Sequence, residues 1–527
     1  MKTKRLNQKT MILALSASLA LTGTLVGCSE KKETEPTSNA GTGTNDKQAA
    51  PTEISITTIN YNTEAPVNDN PIELEMEKRT NTKLNITYLP SNNYGDKFNV
   101  MLASGEIPDV LLTTFIYSSN VTSAIKEGAF WDLTPYIKDY PNLLATYPKE
   151  SFENSKVDGK IYGLPRPRPL VGGAAFPALR QDWLEKLGLS MPKTMDELYT
   201  VLKAFAEQDP DGNGKADTYG FTGAVEEGWM GTLDFVESTF HGFNGMVVSS
   251  ADKPTFLRDA QPAAREALLW LQRAYKEGVL APDFAIMKGS QVLDMAKAGK
   301  VGMYPTAMDA KQLGEVVAAV RKTAPEANIA HVPYLISPAT GKEYAMKEGG
   351  FFGNYLISKK VSEEKLKAIL AFFDYGATPE GMELANYGLK DVHFTIAEDG
   401  TKVTNEEFKN IAGPSLSNIW TNVNPYSRIL QAAPDYPKEY FERDKQVIEE
   451  RLKYGVFINN SGVTSETELK VGNELYKKFQ DLKVKVIMGK ETIEAWDKFV
   501  EQMNNDANLQ KILSEREASY KELFGTK

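Results

Sequence analysis

The chain has 527 residues, 41% hydrophobic and 25% charged, with 39 Gly and 27 Pro, a composition that excludes disordered, collagenous and membrane-embedded proteins. At roughly 150 residues per domain it has room for several domains, or for two larger α/β bodies. The formal charge is −10; Lys2, Lys4, Arg5 and Lys9 contribute +4 within the first 27 residues, so the remainder carries −14. A surface that acidic repels phosphate backbones, and no run of basic residues offsets it, so nucleic acid is not expected as a partner.

The basic start is followed by an uncharged apolar stretch, Met11 to Val26, closing on Leu25-Val26-Gly27-Cys28. This reads as a secretory signal, residues 1–27, ending in a lipobox, with Cys28 the acceptor of a diacylglycerol. The stretch is short of the ~20 residues that a spanning helix needs. Cys28 is the only cysteine in the chain, and lipidation accounts for it without a disulfide partner. Residues 28–52 are polar and aperiodic apart from the lipidated end, as in a flexible tether. A protein anchored to the cell membrane and facing its extracytoplasmic side is expected.

The folded part is expected to open near Glu53 with a β-type run (Ile54, Ile56, Ile59) leading to Asn60-Tyr61-Asn62. A helix over 72–80, a strand over 84–89, a helix over 95–104 and the short apolar strand DVLLTT (109–114) follow; this alternation indicates an α/β sheet. Thr194 with Glu197 forms a capping box ahead of Met195, Leu198, Val201, Leu202 and Phe205, which share one helical face. Ser362 precedes a similar helix bearing Leu366, Ile369, Leu370 and Phe373. Strands are expected at 300–304, 329–334 and 354–358, and the chain from about 437 is helical. No internal repeat is present.

The segment Asp209-Pro-Asp211-Gly-Asn213-Gly214-Lys215-Ala-Asp217 places oxygen donors at positions 1, 3, 5 and 9 of an EF-hand-type loop. Gly214 stands at the sharp turn, and Lys215 is positioned to offer its backbone carbonyl. Ca²⁺ takes about six to eight such oxygens; position 12 is Gly220 rather than the usual glutamate, a departure that bears on affinity. An Asx-turn loop is the alternative. His241, His331 and His393 are scattered and lack zinc-site spacing, and neither a G-x-S-x-G elbow nor a Walker loop occurs. Glycoside hydrolysis needs only two carboxylates, so a secreted carbohydrate-active hydrolase stays open.

The lipobox, MLASGEIPDVLLTT (101–114), KIYGLP (160–165), LRQDWLEKLGL (179–189) followed by MPKTMDEL, DPDGNGKADTYG (209–220), AYKEGVLAPDF (274–284) and AGKVGMY (298–304) together resemble the lipid-anchored extracellular solute-binding proteins, family 1, of carbohydrate ABC transporters. Within that family they resemble the LipO-like lipoproteins akin to alginate-oligosaccharide binders. The resemblance implies a two-lobe, type II periplasmic-binding-protein-like α/β fold with a hinge and a central cleft: lobe 1 at about 53–167 plus 335–385, lobe 2 at about 168–334 plus 386–527. It further implies a non-enzymatic, monomeric protein that captures oligosaccharides, including uronate-containing ones, and delivers them to separate permease subunits. In the alginate-binding relatives a similar loop holds structural Ca²⁺, which extends to Asp209, Asp211, Asn213, Lys215 and Asp217. A binder of peptides or other small solutes is also compatible with this fold.

Sugar clefts combine aromatic platforms with side chains that make bidentate hydrogen bonds, and α/β sheets bind ligands beyond strand ends. On that ground Tyr61, Tyr117, Trp229, Tyr304 and Trp420 are candidate ligand-facing aromatics, with a core role the alternative for each. Arg166 and Arg168, stiffened by the prolines of PRPRP at the expected first crossing between lobes, are candidates for a sugar carboxylate or for an interlobe ion pair. Arg180 is a further ligand candidate, with an ion pair to Asp182 as the alternative.

Overall fold

Nine residues of alternating Thr, Ser and Ile open the folded chain, and their branched side chains favour a pleated conformation. In the computed structural model, which describes residues 50–60, 65–226, 228–243, 258–398, 402–411, 416, 418–421, 426, 428–430, 436–457 and 462–524, they form β1 (Thr52–Asn60) with Ile54, Ile56 and Ile59 buried. The proposed signal, Cys28, the tether up to residue 49 and Tyr61 lie outside the described residues, and the last residue of the expected tether, Thr52, already belongs to β1. The further strands are β2 (Thr82–Pro90), β3 (Val110–Thr113), β4 (Gly163–Pro167), β5 (Phe176–Arg180), β6 (Tyr219–Phe221), β7 (Val301–Thr306), β8 (Ile329–His331), β9 (Leu335–Ile336), β10 (Glu343–Met346), β11 (Phe351–Ile357), β12 (Phe394–Ile396), β13 (Lys402–Thr404) and β14 (Gly455–Val456). Among the described residues no helix is long and apolar enough to cross a membrane.

The first sheet has the order β2-β1-β3-β11-β4, with β1 parallel to β2 and β3, and β11 antiparallel to β3 and β4. β2 lies at the edge and alternates buried Thr82, Leu84 and Ile86 with exposed Lys83, Asn85 and Thr87. The central β3 is buried throughout, as expected where helices cover both faces. The preceding helix, Pro71–Thr80, starts where Asn70 accepts from the amides of Ile72 and Glu73 and ends where Asn81 turns left-handed at φ 51°. Helix Tyr94–Ser104 closes on Gly105, at φ 71°. Both helices and β3 match the sequence expectation.

The second sheet has the order β6-β7-β5-β8; β6 and β7 are parallel, and β5 is antiparallel to both of its neighbours. Thr194 and Glu197 make the expected reciprocal cap on helix Met195–Glu207, whose Leu198, Val201, Leu202 and Phe205 are buried against this sheet. β8 is shorter than the strand expected over 329–334, β7 runs on to Thr306, and β11 begins at Phe351 rather than near 354.

Among the described residues the two largest hydrophobic clusters form separate cores. Ile54, Leu111, Leu356, Phe373 and Trp420 belong to the first; Phe176, Trp183, Phe205, Trp270, Phe479 and Trp496 belong to the second. Their membership departs from the lobe limits expected from sequence. Leu335 and Tyr344, assigned to lobe 1 by the range 335–385, pack in the second core because the β9-β10 pair extends that body. Phe408, Leu416, Ile419 and Trp420, assigned to lobe 2 by the range 386–527, pack in the first. The chain therefore passes between the bodies at 168–175, at 347–350, and again between Trp420 and Tyr440.

Candidate ligand cleft

β1, β3 and β4 run in one direction, so their carboxyl ends, Asn60, Thr113 and Pro167, share an edge with the first residue of β11. From that edge β4 passes through 168–175 into β5, which starts at the edge where the antiparallel β7 ends. The carboxyl edges of both sheets thus meet the crossing segments, the position at which open α/β sheets take ligands.

The crossings are laced together. The Arg168 amide donates to Gly350 O at 2.8 Å, the Glu348 amide to Leu170 O at 2.7 Å, and the Gly173 amide to Glu348 Oε2 at 2.9 Å. Met308 N donates to Gly172 O and Ala310 N to Arg428 O, at 2.7 and 3.1 Å. Val171, Met308, Ile429, Val447 and Ile448 pack into a small apolar cluster of their own. Gly173 cannot be replaced without movement, because a Cβ there would stand 2.1 Å from Glu348 Oε2 and 2.7 Å from Arg428 Nη2. Burial raises the pKa of Glu348 above the usual carboxylate range, even though Arg428 and the Gly173 amide act against it.

Arg166, at the end of β4, is 1% exposed. Its Nη2 donates to Asn418 Oδ1 at 3.0 Å, and its guanidinium carbon lies 5.7 Å from the ring centroid of Phe352. Nε and Nη1 have no hydrogen-bond partner among the described residues. Asn418 is itself fixed: its carbonyl accepts from the Tyr355 hydroxyl at 2.9 Å, and that hydroxyl also meets Thr58 Oγ1 at 2.9 Å. Arg168 donates from Nη1 to Pro167 O at 3.2 Å and is close enough to Glu348 to favour its charged form.

Trp229 is 48% exposed in a tight Glu226–Trp229 turn after β6. Gln480 pins that turn, accepting from the Gly228 amide at 2.7 Å and donating to Trp229 O at 3.0 Å. Sequence reasoning missed two aromatics at the first carboxyl edge, Phe115 and Phe352, which are 62% and 46% exposed. The available signals were the end of β3 just before Phe115 and the Gly349-Gly350 pair just before Phe352.

Four of the sequence candidates are committed elsewhere. Tyr117 is buried, its ring edge-on to Phe115 and its hydroxyl donating to Asn154 O and Lys156 O at 2.5 and 3.1 Å. Tyr304 lies inside β7 rather than at its end and packs in a core with Val301, Leu313 and Val317. Trp420 is 1% exposed and lies against Phe372 and Tyr375. Arg180 is buried in a bidentate pair with Asp182, at 2.8 and 2.5 Å, and stacks on Trp183 at 4.4 Å. The ion-pair alternative accounts for it, and it is not free to meet a ligand.

In the loop at 209–217, Asp209, Asp211 and Asp217 gather around Asn213. Its side-chain nitrogen donates to Asp211 Oδ2 at 2.7 Å and to Asp217 Oδ1 at 3.0 Å, and its backbone amide donates to Asp209 Oδ1 at 3.1 Å. Gly212 and Gly214 take the left-handed conformation that the turns require, at φ 73° and 76°. Lys300 pairs with Asp217 at 2.5 Å and holds its pKa below the usual range, while burial and then the neighbouring Asp209 raise that of Asp211. Among the described residues no set of three or more acidic, His or Cys side chains is arranged as a metal cluster. The oxygen donors nevertheless suit a hard cation in kind and spacing. Position 12 cannot hold a glutamate, because Gly220 lies in β6 with a would-be Cβ 2.3 Å from Leu202 O.

The model of the bacterial extracellular solute-binding protein family matches residues 57–383. The chain is 31% identical to lipoprotein LipO of Bacillus subtilis (strain 168) over 514 residues, covering 94% of this chain and 95% of that one. It is 30% identical to the polygalacturonan/rhamnogalacturonan-binding protein YtcQ of the same organism over 531 residues, covering 98% and 100%. The crystal structure of the alginate-binding protein AlgQ2 without calcium ion superposes with a TM-score of 0.62 at 21% identity, covering 90% of this chain and 98% of that one. The two-core α/β architecture and the full-length matches lead to one assignment: the chain belongs to the bacterial extracellular solute-binding protein family.

Proposed function

We propose that the protein captures uronate-containing oligosaccharides in the cleft between its two bodies and hands them to the membrane permease of an ABC importer, without altering them chemically. The observation that carries this reading is Arg166. A guanidinium that is always charged sits 1% exposed at the ligand edge with two nitrogens that have no hydrogen-bond partner among the described residues, an arrangement that calls for an anionic, hydrogen-bonding partner. The exposed rings of Phe115, Phe352 and Trp229 offer platforms for the C–H faces of sugars. The names of YtcQ and AlgQ2, binders of acidic polysaccharides, support the same ligand class.

Binding then proceeds by population shift. A sugar that touches Arg166 and Phe352 on one body and Trp229 on the other favours the closed form by whatever extra contact closure adds. The lobes proposed on the core assignments are about 52–167 with 351–421, and about 176–346 with 436–524. Cys28 is the proposed lipid anchor, and residues 28–52 the tether that keeps the cleft on the extracytoplasmic side near the permease. In the loop at 209–217, Asp209, Asp211, Asn213 and Asp217, with the Lys215 carbonyl, are proposed to hold Ca²⁺, which when bound neutralises the carboxylates and stiffens the turn after helix Met195–Glu207.

Calorimetric titration of residues 29–527 with galacturonate oligomers and with neutral oligomers of equal length tests the reading. Tight binding of the uronate series alone is expected, with intact sugar recovered afterwards. Arg166→Gln should weaken it about 10–100-fold, as the loss of charge-assisted hydrogen bonds implies. Cleaved sugar would point to a hydrolase, and no binding of either series to a peptide or small-solute carrier.

A further inference from the structure

On the second body, helix Gln181–Lys186 and helix Tyr440–Tyr454 flank the open side of the edge strand β8. Between them lies a cavity of about 320 Å³, at the lower end of the size range of small-molecule sites. Leu184, Ala330 and Val447 are buried and form an apolar floor, and Glu185 and Glu450 stand exposed at the rim. The wall includes His331, 1% exposed, and neither of its nitrogens has a hydrogen-bond partner among the described residues. Burial lowers the imidazole pKa to about 3, so the ring is neutral, with one nitrogen a donor and the other an acceptor. Arg443 also lines the cavity. Its Nε donates to Asp444 and its Nη1 to Asn328, each at 2.8 Å, and its guanidinium carbon lies 3.8 Å from the Tyr440 ring centroid, but its buried Nη2 has no hydrogen-bond partner among the described residues.

These groups constrain the occupant. Two carboxylates at the rim repel an anion, and the charge of Arg443 is already balanced by Asp444. A cation would satisfy the carboxylates and leave the Arg443 donor and the imidazole donor empty. A hydroxyl both donates and accepts, so a hydroxyl-bearing neutral molecule can serve all of them, with its C–H face on Leu184 and Val447. We propose that this groove is a second binding site, separate from the interlobe cleft, for a neutral ligand of one or two sugar units. The inference rests on the groove alone and not on the uronate reading of the cleft.

Hydrogen–deuterium exchange of residues 29–527 in millimolar D-galactose or maltose provides the test. Protection over 181–191 and 440–450 is expected, saturating in the millimolar range. Met191→Trp, which fills the groove from its wall, should weaken that protection at least tenfold while leaving the affinity of the cleft for galacturonate oligomers within twofold. Should this variant fail to fold, Gln446→Ala combined with Glu450→Lys, both on the exposed rim, should have the same effect. Protection confined to cleft segments, protection retained in the filled or rim variants, or no protection by either sugar would overturn the proposal.

Discussion

Glu73 is fully buried on helix Pro71–Thr80 and uses one carboxylate oxygen, Oε2, to accept from Asn70 at 3.3 Å; the other has no partner among the described residues. Burial pushes its pKa up to about 7, and Glu77 and Asp69 add to the rise. A carboxyl raised in this way contributes stability that is fully present below its ordinary value of 4.5 and is lost as the pH rises through 7. Glu73→Gln should therefore gain on the wild type between pH 5 and 8. The difference amounts to a few kcal/mol at most, since one pKa unit is about 1.4 kcal/mol. Parallel denaturant titrations at both pH values check this; a variant that tracks the wild type throughout would place the ionised carboxylate in water. At this scale the sequence was only half legible. PRPRP marked Arg166 through its stiffness and its place at a crossing, but whether an aromatic faces a core or a cleft depends on partners that only the tertiary fold brings together. Trp420 meets Phe372, and Tyr304 meets Leu313 and Val317, and no local pattern announces either contact.

Elements were easier to read where their signals are local. The Thr194–Glu197 box and the alternation of β2 are written in adjacent residues and appear where expected, and the Asn70 cap is an equally local signal that the structure shows. What local patterns could not show is how distant helices are joined. Lys483, on helix Glu466–Ile487, reaches Glu237 on helix Asp234–His241 at 2.6 Å and also pairs with Asp259, while Arg258 binds Glu237 at 3.1 Å and pairs with Asp234. Burial alone would raise the pKa of Glu237, but Lys483 and Arg258 hold it well below the usual range. Lys483→Met would leave two buried carboxylates short of a partner, and a loss of about 3–5 kcal/mol is expected from equilibrium unfolding. A loss below about 1 kcal/mol would mean that water replaces the ammonium. The loop at 209–217 was legible as an oxygen-rich turn, whereas the reason for its missing twelfth-position carboxylate, the close approach of Gly220 to Leu202, emerges only from packing. With Ca²⁺ proposed there, EDTA should lower the melting temperature of the wild type and leave that of Asp211→Ala unchanged. Equal responses of the two proteins would argue for a loop held by Asn213 and Lys300 alone.

At the scale of the whole molecule, three passages of the chain between two cores make relative motion of those cores the natural degree of freedom. A passage after residue 167 could be expected from sequence, since a strand that ends in alternating prolines must leave its sheet, whereas nothing local distinguishes one body's helices from the other's at the later two. Apart from the crossings, the bodies meet where Tyr117, Lys126 and Asp158 of the first and Thr464, Ser519 and Glu522 of the second line a cavity of about 70 Å³. That space holds only a few waters, so the two surfaces are near contact, and a large side chain there must push them apart. Ser519 is half-buried, accepts from the Thr464 amide at 3.0 Å and lies on the C-terminal helix Ala507–Phe524. Ser519→Trp should hold the bodies open without touching Arg166 or the crossing segments. Small-angle scattering should then show a larger radius of gyration than the wild type in the presence of saturating ligand, and ligand affinity should fall by the closure free energy, about tenfold for each 1.4 kcal/mol. If the radius and the affinity both stay at wild-type values, the contact at Ser519 plays no part in closure, and the energetics of the closed form reside in the crossings and the ligand itself.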